Sequence, residues 1–111
     1  MIYLASPYTD PDPKVMQMRY EMVCEACAGL ANKKRVVFSP VAHWHPIAIK
    51  YDLPRDYKFW EIQNYGVISC CFRFYVLTLN GWDTSIGIKY EVEYAEKHGK
   101  LIENISLSEC R

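Results

Sequence analysis

A carboxylate stands on an apolar helical stripe near the end of this chain. Read as a helix, the stretch from Asp83 to Ala95 places Ile88, Val92 and Ala95 at i, i+4 and i+7, one core-facing row. Glu91 falls on the same row, whereas Lys89, Glu93, Glu96 and Lys97 fall mostly elsewhere. Gly87 lies one turn before Glu91, and helical side chains lean toward the N-terminus. Glu91 is therefore expected to lean over a residue with no side chain, leaving room for a ligand. Ser85 sits near the helix start, where free backbone N–H groups favour anions. The chemistry predicted is that of a buried carboxylate at one end of a small space and an anion-friendly terminus at the other. The plain alternative is a Glu91 that snorkels out or pairs with a buried Arg or Tyr, as intruding polar groups commonly do.

The elements that must position these residues follow from hydrophobic patterning. Ile2 to Ala5 reads as a first strand, and the proline-rich Ser6–Pro13 as a loop long enough to reach over a sheet end. Asp12 and Pro13 open a helix that ends near Asn32, with Val15, Met18, Met22, Val23, Ala26, Cys27 and Leu30 on its buried side. Arg35 to Phe38 is the second strand. The segment from His43 to Pro54 reads as irregular with one short helical turn, and its aromatic and imidazole groups suit a functional loop. Arg55 to about Cys70 reads as a helix with two rows: Phe59, Ile62 and Gly66, and Trp60, Asn64, Val67 and Cys71. Asn64 is a second polar residue inside an apolar row. Phe72 to Leu79 reads as a central parallel strand. Asn80–Gly81 is a strand-to-helix loop, and the key helix runs from about Thr84 to His98 with Gly99 after it. Lys100 to Ile105 is the last strand, and the tail to Arg111 is expected to fray.

Strands alternating with helices predict a single α/β domain over residues 1–111. It should be a three-layer α-β-α fold with a parallel, four- to five-stranded Rossmann- or flavodoxin-like sheet. In such sheets ligands bind beyond the carboxyl ends of the strands, at the switch in strand order. Ser6–Asp10, Ser39–His45 and Asn80–Gly87 are the segments predicted there. No Gly-x-Gly-x-x-Gly or Walker pattern is present, which argues against a dinucleotide or triphosphate site.

Composition narrows the function class. The 111 residues carry 13 basic and 13 acidic side chains, so there is no basic footprint for nucleic acid. No apolar run approaches a membrane span and the first residues do not read as a signal peptide, so a soluble cytoplasmic protein is expected. Five cysteines, an odd number, argue against a disulfide framework. Cys24 and Cys27 form a C-x-x-C in mid-helix, where ordinary core residues would stand. With His43 and His45 they make only a loose version of zinc-ligand spacing, so neither a metal nor a cofactor is expected.

Tyr3-Leu4-Ala5-Ser6-Pro7-Tyr8 at the start and the Ser-x-Gly-x-x-Tyr-Glu signature from Ser85 to Glu91 resemble the nucleoside 2-deoxyribosyltransferase superfamily. That superfamily includes the 2′-deoxynucleoside 5′-monophosphate N-glycosidases. Ser39-Pro40-Val41-Ala42-His43, Phe59-Trp60 and Gly81-Trp82 resemble an uncharacterised phage and bacterial subgroup placed there. The likeness spans residues 1 to about 100 and implies roles position by position. Glu91 matches the glutamate that attacks the anomeric carbon and forms a covalent glycosyl-enzyme, with Tyr90 before it. Ser85 matches a position that is serine in the monophosphate hydrolases and tends to be acidic in nucleoside-specific transferases. A hydroxyl and helix N–H groups there would hold a 5′-phosphate that a carboxylate would repel. Ser6 and Tyr8 match the loop that lines the sugar and phosphate, and His43 and His45 fit base or phosphate contacts.

One departure is chemical. The family carries an aspartate ahead of the third strand that handles the proton on the base, and Asn64 stands there. Asparagine can hydrogen-bond but cannot donate a carboxylic proton, whereas glycoside cleavage generally uses two carboxyls. Glu61, Asp83, a histidine or a water are the alternatives for the acid. Burial should raise the pKa of Glu91, so a nearby hydroxyl, Tyr3 or Tyr90, is expected to support its ionised form. The function implied is N-glycosidic cleavage or base exchange on a small-molecule nucleotide or nucleoside by a homodimer or larger homo-oligomer. The alternative is a nucleotide-binding module with little turnover.

Overall fold

The computed structural model describes residues 1–111. Its core is a four-stranded, all-parallel sheet in the order β2-β1-β3-β4, formed by β1 (Ile2–Ala5), β2 (Val37–Phe38), β3 (Arg73–Leu77) and β4 (Leu101–Ile105). Five helices connect or follow the strands: α1 (Pro13–Asn32), α2 (Pro40–Tyr51), α3 (Tyr57–Ser69), α4 (Ile86–Lys97) and α5 (Leu107–Cys110).

Period-two alternation divides the core into two layers. Ile2 and Leu4 of β1, with Tyr75 and Leu77 of β3, pack against Val23, Ala26 and Leu30 of α1 and Cys110 of α5. Tyr3 and Ala5, with Phe74 and Val76, face the other way onto Ile68 of α3 and Ile88 and Ala95 of α4. In register, Tyr3 lies beside Phe38 on one side and Phe74 on the other. The connection leaving β1 runs to β2 on one side, and the one leaving β3 runs to β4 on the other. The switch in strand order therefore lies between β1 and β3.

Local chemistry sets the helix ends. Asp12 caps α1 by accepting from Lys14 N at 2.9 Å, Ser39 caps α2 from Ala42 N at 3.0 Å, and Asp56 caps α3 from Phe59 N at 3.2 Å. Gly99 takes a positive φ of 71° just after α4, as expected of a residue ending a helix.

Several expectations need correction. The segment expected to be irregular is a full helix, α2, because Ser39 caps it and Pro40 stands in its first turn, where no N–H is needed. Pro46 is carried inside it. The tail does not fray: Ser106 and Glu109 form a reciprocal capping box that starts α5. Cys110 is then fully buried against α1, where a Cβ on Gly29 would lie 2.1 Å from its carbonyl oxygen. On α1, Val23, Ala26 and Leu30 are buried as expected, but nearer its start Met16 is buried and Met18 is half exposed. On α3 the row containing Asn64 faces inward, while Phe59 and Ile62 face solvent. The helix expected from Thr84 begins instead at Ile86, after a 3-10 turn over Trp82–Thr84.

Candidate active site

A cavity of about 510 Å³ opens over the carboxyl ends of β1 and β3. Its walls come from the loop after β1 (Ser6 to Asp10), α1, α2, the start of α3, and the turn leading into α4. Glu91 sits on its floor, 4 % exposed, on the inner row of α4 with Ile88 and Ala95.

Tyr3 supports that carboxylate. Its ring is fully buried, stacked on Phe74 at 5.3 Å and flanked by Phe38. Its hydroxyl donates to Glu91 Oε2. Burial pushes the Glu91 carboxyl up to about 7, and the Tyr3 hydrogen bond opposes that rise. Burial, followed by the Glu91 charge, holds the Tyr3 phenol well above its ordinary range, so Tyr3 remains a neutral donor. The carboxyl is thereby poised to exchange its proton near neutral pH.

Tyr57, at the start of α3, is a site residue that the sequence did not single out. Its ring stacks on Tyr90 at 5.5 Å and covers Gly87, where a Cβ would meet it at 3.4 Å. A Cβ at Gly87 would thus touch the ring at ordinary van der Waals distance, and Gly87 and Tyr57 line the cavity together. The Tyr57 hydroxyl is buried without a hydrogen-bond partner, and its pKa is raised by burial and then by the Glu91 charge. The Ser6 hydroxyl is the other buried group left without a partner. Both residues line the cavity. The periodicity of α3 gave no signal for Tyr57 because it is the first residue of the helix and belongs to neither apolar row.

On the opposite wall the Tyr8 hydroxyl meets His45 Nδ1 at 2.6 Å, and His45 Nε2 meets Gln17 Oε1 at 2.9 Å. An amide oxygen only accepts, so Nε2 carries the proton and Tyr8 donates to Nδ1. Tyr20 stacks on the imidazole at 4.4 Å. Burial, with Arg55 second, lowers the pKa of His45 and keeps it neutral. Arg19 ties the loops together, donating to the carbonyls of Tyr8 and Thr9 at 3.2 Å and of Asn80 at 3.5 Å.

Of the residues expected from sequence, Glu91, Asn64, Ser6, Tyr8, Ser85 and Gly87 all line the cavity, and Tyr3 reaches it through Glu91. Ser85 caps α4, accepting from Ile88 N at 3.2 Å and keeping its own proton to donate. His43, Asp83 and Tyr90 do not line the cavity. His43 is exposed beside Phe38 and Trp44, Asp83 is exposed on the 3-10 turn, and Tyr90 backs the ring of Tyr57. On a helix, residues two apart point to opposite sides, so α2 can turn only one of its two histidines inward, and that one is His45. Glu61 is also off the cavity, which instead includes Asp10 and Asp56. Asp10 accepts from Asp12 N and Asp56 from Phe59 N, so both are used in local turns.

No group of three or more His, Cys, Asp or Glu side chains is placed to hold a metal ion. Cys24 and Cys27 lie in α1, and burial pushes the Cys27 thiol up to about 11, opposite to a metal-ready thiolate. No helix is long and apolar enough to cross a membrane.

Fold and cavity together define a parallel α/β protein with a titratable carboxylate at the strand-order switch. The chain belongs to the DUF1937 family, a domain of unknown function, whose profile matches residues 1–106. A comparison with curated proteins finds no match.

Proposed function

We propose that this chain is an N-glycosidase of nucleoside 5′-monophosphates, within the nucleoside 2-deoxyribosyltransferase superfamily that its sequence resembles. The observation that carries this reading is the Glu91 carboxyl, buried on the floor of an open cavity, held by Tyr3 and poised near pH 7. Structural carboxylates are normally surrounded by donors, whereas this one has one side-chain donor and faces a cavity.

In the proposed reaction a Glu91 oxygen attacks the anomeric carbon. The bond to the base nitrogen breaks, its electron pair leaves with the base, and a glycosyl ester forms on Glu91. Water then attacks the same carbon and releases Glu91 and the sugar phosphate; a second base in place of water gives exchange. Asn64, buried at the cavity wall, can hydrogen-bond the departing base but supplies no proton. The proton then comes from water, and turnover is slow for this chemistry. The phosphate is placed at the N-terminus of α4, where Ser85 can donate and the first N–H groups are free. Glu91 lies about 9 Å along the helix from Ser85, leaving room for the sugar between them.

The test is intact-mass measurement after acid quench of protein mixed with deoxynucleoside monophosphates. A sugar-phosphate adduct that maps to Glu91 supports the reading, and base release with no adduct from either protein or Glu91→Gln contradicts it. The exposed apolar side chains Phe59 and Ile62 of α3 and Ile86 of α4 support a homo-oligomer. Sedimentation tests that; a monomer at micromolar concentration contradicts it. The binding-module alternative draws on Asn64, and predicts nucleotide-induced thermal stabilisation without base release.

A further inference from the structure

We propose that Arg55 is the counter-charge for the substrate's phosphate monoester, and so the residue that makes this site prefer a phosphorylated nucleoside over a free one. The inference rests on the nucleotide reading above and adds a residue that neither the helix patterning nor the resemblance indicated.

Every other arginine in the chain has an oxygen acceptor. Arg19 holds three carbonyls, Arg35 the Tyr75 hydroxyl, Arg73 the Glu103 carboxylate and Arg111 the Glu25 carboxylate. Arg55 lines the cavity, and its guanidinium meets only the Met16 sulfur, at 3.9 Å. A guanidinium is a rigid fork of five donors that matches phosphate oxygens. It is partly buried and has no oxygen acceptor within the protein, so its donors can be given to a phosphate without breaking an existing ion pair.

Its backbone is pinned. The Arg55 carbonyl accepts from Thr9 Oγ1 at 3.4 Å, and the neighbouring Pro54 carbonyl accepts from Trp60 Nε1 at 2.8 Å. Its charge is felt by Tyr8 and His45, on the wall formed by the first loop and α2. Two residues on, Tyr57 covers the first turn of α4 at Gly87. Arg55 thus stands beside the first loop, two residues before the ring that covers Gly87, and lines the same cavity as Ser85, where the phosphate is assigned. No lysine lines the cavity, and Arg19 is already committed, so Arg55 is the cation free to do this. Arg55 forms no ion pair with the cavity's acidic groups: Asp10 and Asp56 accept from backbone N–H groups, Glu91 accepts from Tyr3, and the chain's two ion pairs are Arg73–Glu103 and Arg111–Glu25.

The experiment is calorimetric binding to Glu91→Gln protein, so that the ligand is not consumed. The probes are the four common deoxynucleoside 5′-monophosphates, the matching nucleosides and inorganic phosphate. At least one monophosphate should bind roughly tenfold to a hundredfold tighter than its nucleoside. Adding Arg55→Gln should remove most of that preference while nucleoside affinity stays within about twofold, and Arg55→Lys should restore part of it. Inorganic phosphate should compete with the monophosphate only when Arg55 is present. A preference that survives Arg55→Gln, equal weakening of both ligands, or no preference for any monophosphate overturns the proposal. Base release by Glu91→Gln at the full rate overturns the glycosidase reading instead, and leaves the Arg55 result to stand or fall on its own.

Discussion

The Tyr3 hydroxyl on β1 donates to the Glu91 carboxylate on α4, joining the central strand to the helix that follows its neighbour β3. Tyr3 is held by stacking on Phe74, so its hydroxyl is a fixed donor and not a mobile one. One residue thereby orients the carboxylate and offsets part of the cost of burying it.

That bond sets a pH dependence. A nucleophile must be ionised, and burial raises the Glu91 carboxyl to about 7. Base release should therefore rise with pH along an acid limb centred near 7. Tyr3→Phe removes the opposing hydrogen bond, so the limb should move to higher pH, with stability falling by about 1–3 kcal/mol. A pH–rate profile of both proteins checks this; an acid limb near 4.5 in the wild type contradicts it.

The same shift has a stability signature. The folded pKa of Glu91 lies above the unfolded value of 4.5, so its contribution to stability is fully present below pH 4.5 and is lost as pH rises through about 7. The loss amounts to at most about 3 kcal/mol by pH 8. Glu91→Gln keeps an acceptor for Tyr3 and cannot ionise. It should match the wild type at pH 4 and exceed it at pH 8, in urea unfolding at the two pH values. Equal stability of the two proteins at pH 8 contradicts the burial cost.

Much of this was legible in the sequence because it follows from periodicity. The inward row of Ile88, Glu91 and Ala95 repeats at helical spacing, and the short apolar run of β1 opens an alternation of strands and helices, so the buried carboxylate and the parallel α/β fold could be read directly. What was missed depends on geometry that no period encodes. The helix from Pro40 was obscured by Pro46, although Ser39 and Pro40 are ordinary start signals. His43 and His45 are indistinguishable by type, and only the rotation of α2 decides that His45 enters. Tyr57 and Arg55 lie at a helix start and in the loop before it, and their approach to Gly87 and Tyr8 is a matter of tertiary packing.

Asn64→Asp should add a carboxylic proton donor at the wall of the cavity. The expected effect is a rise of about tenfold to a hundredfold in base release and a new alkaline limb in the pH profile. A more costly buried carboxyl should also lower the unfolding midpoint. Unchanged turnover in steady-state assays would show that Asn64 does not face the leaving base.

Two glycines should respond in opposite senses. Gly66 is exposed in mid-α3, and a Cβ there would meet nothing within 4 Å, so Gly66→Ala should stabilise by about 0.5–1 kcal/mol. A Cβ on Gly29 would meet the Cys110 carbonyl at 2.1 Å, so Gly29→Ala should displace α5 and destabilise by about 1–3 kcal/mol. Thermal unfolding of the two variants checks both signs.

The most direct test of the central claim is base release, followed by chromatography, from a panel of deoxy- and ribonucleoside monophosphates and free nucleosides, with wild-type and Glu91→Gln protein side by side. Release from monophosphates by the wild type, and its loss in a Glu91→Gln protein that still folds, is the predicted result. Release that persists undiminished in Glu91→Gln, or no release from any substrate, would contradict it.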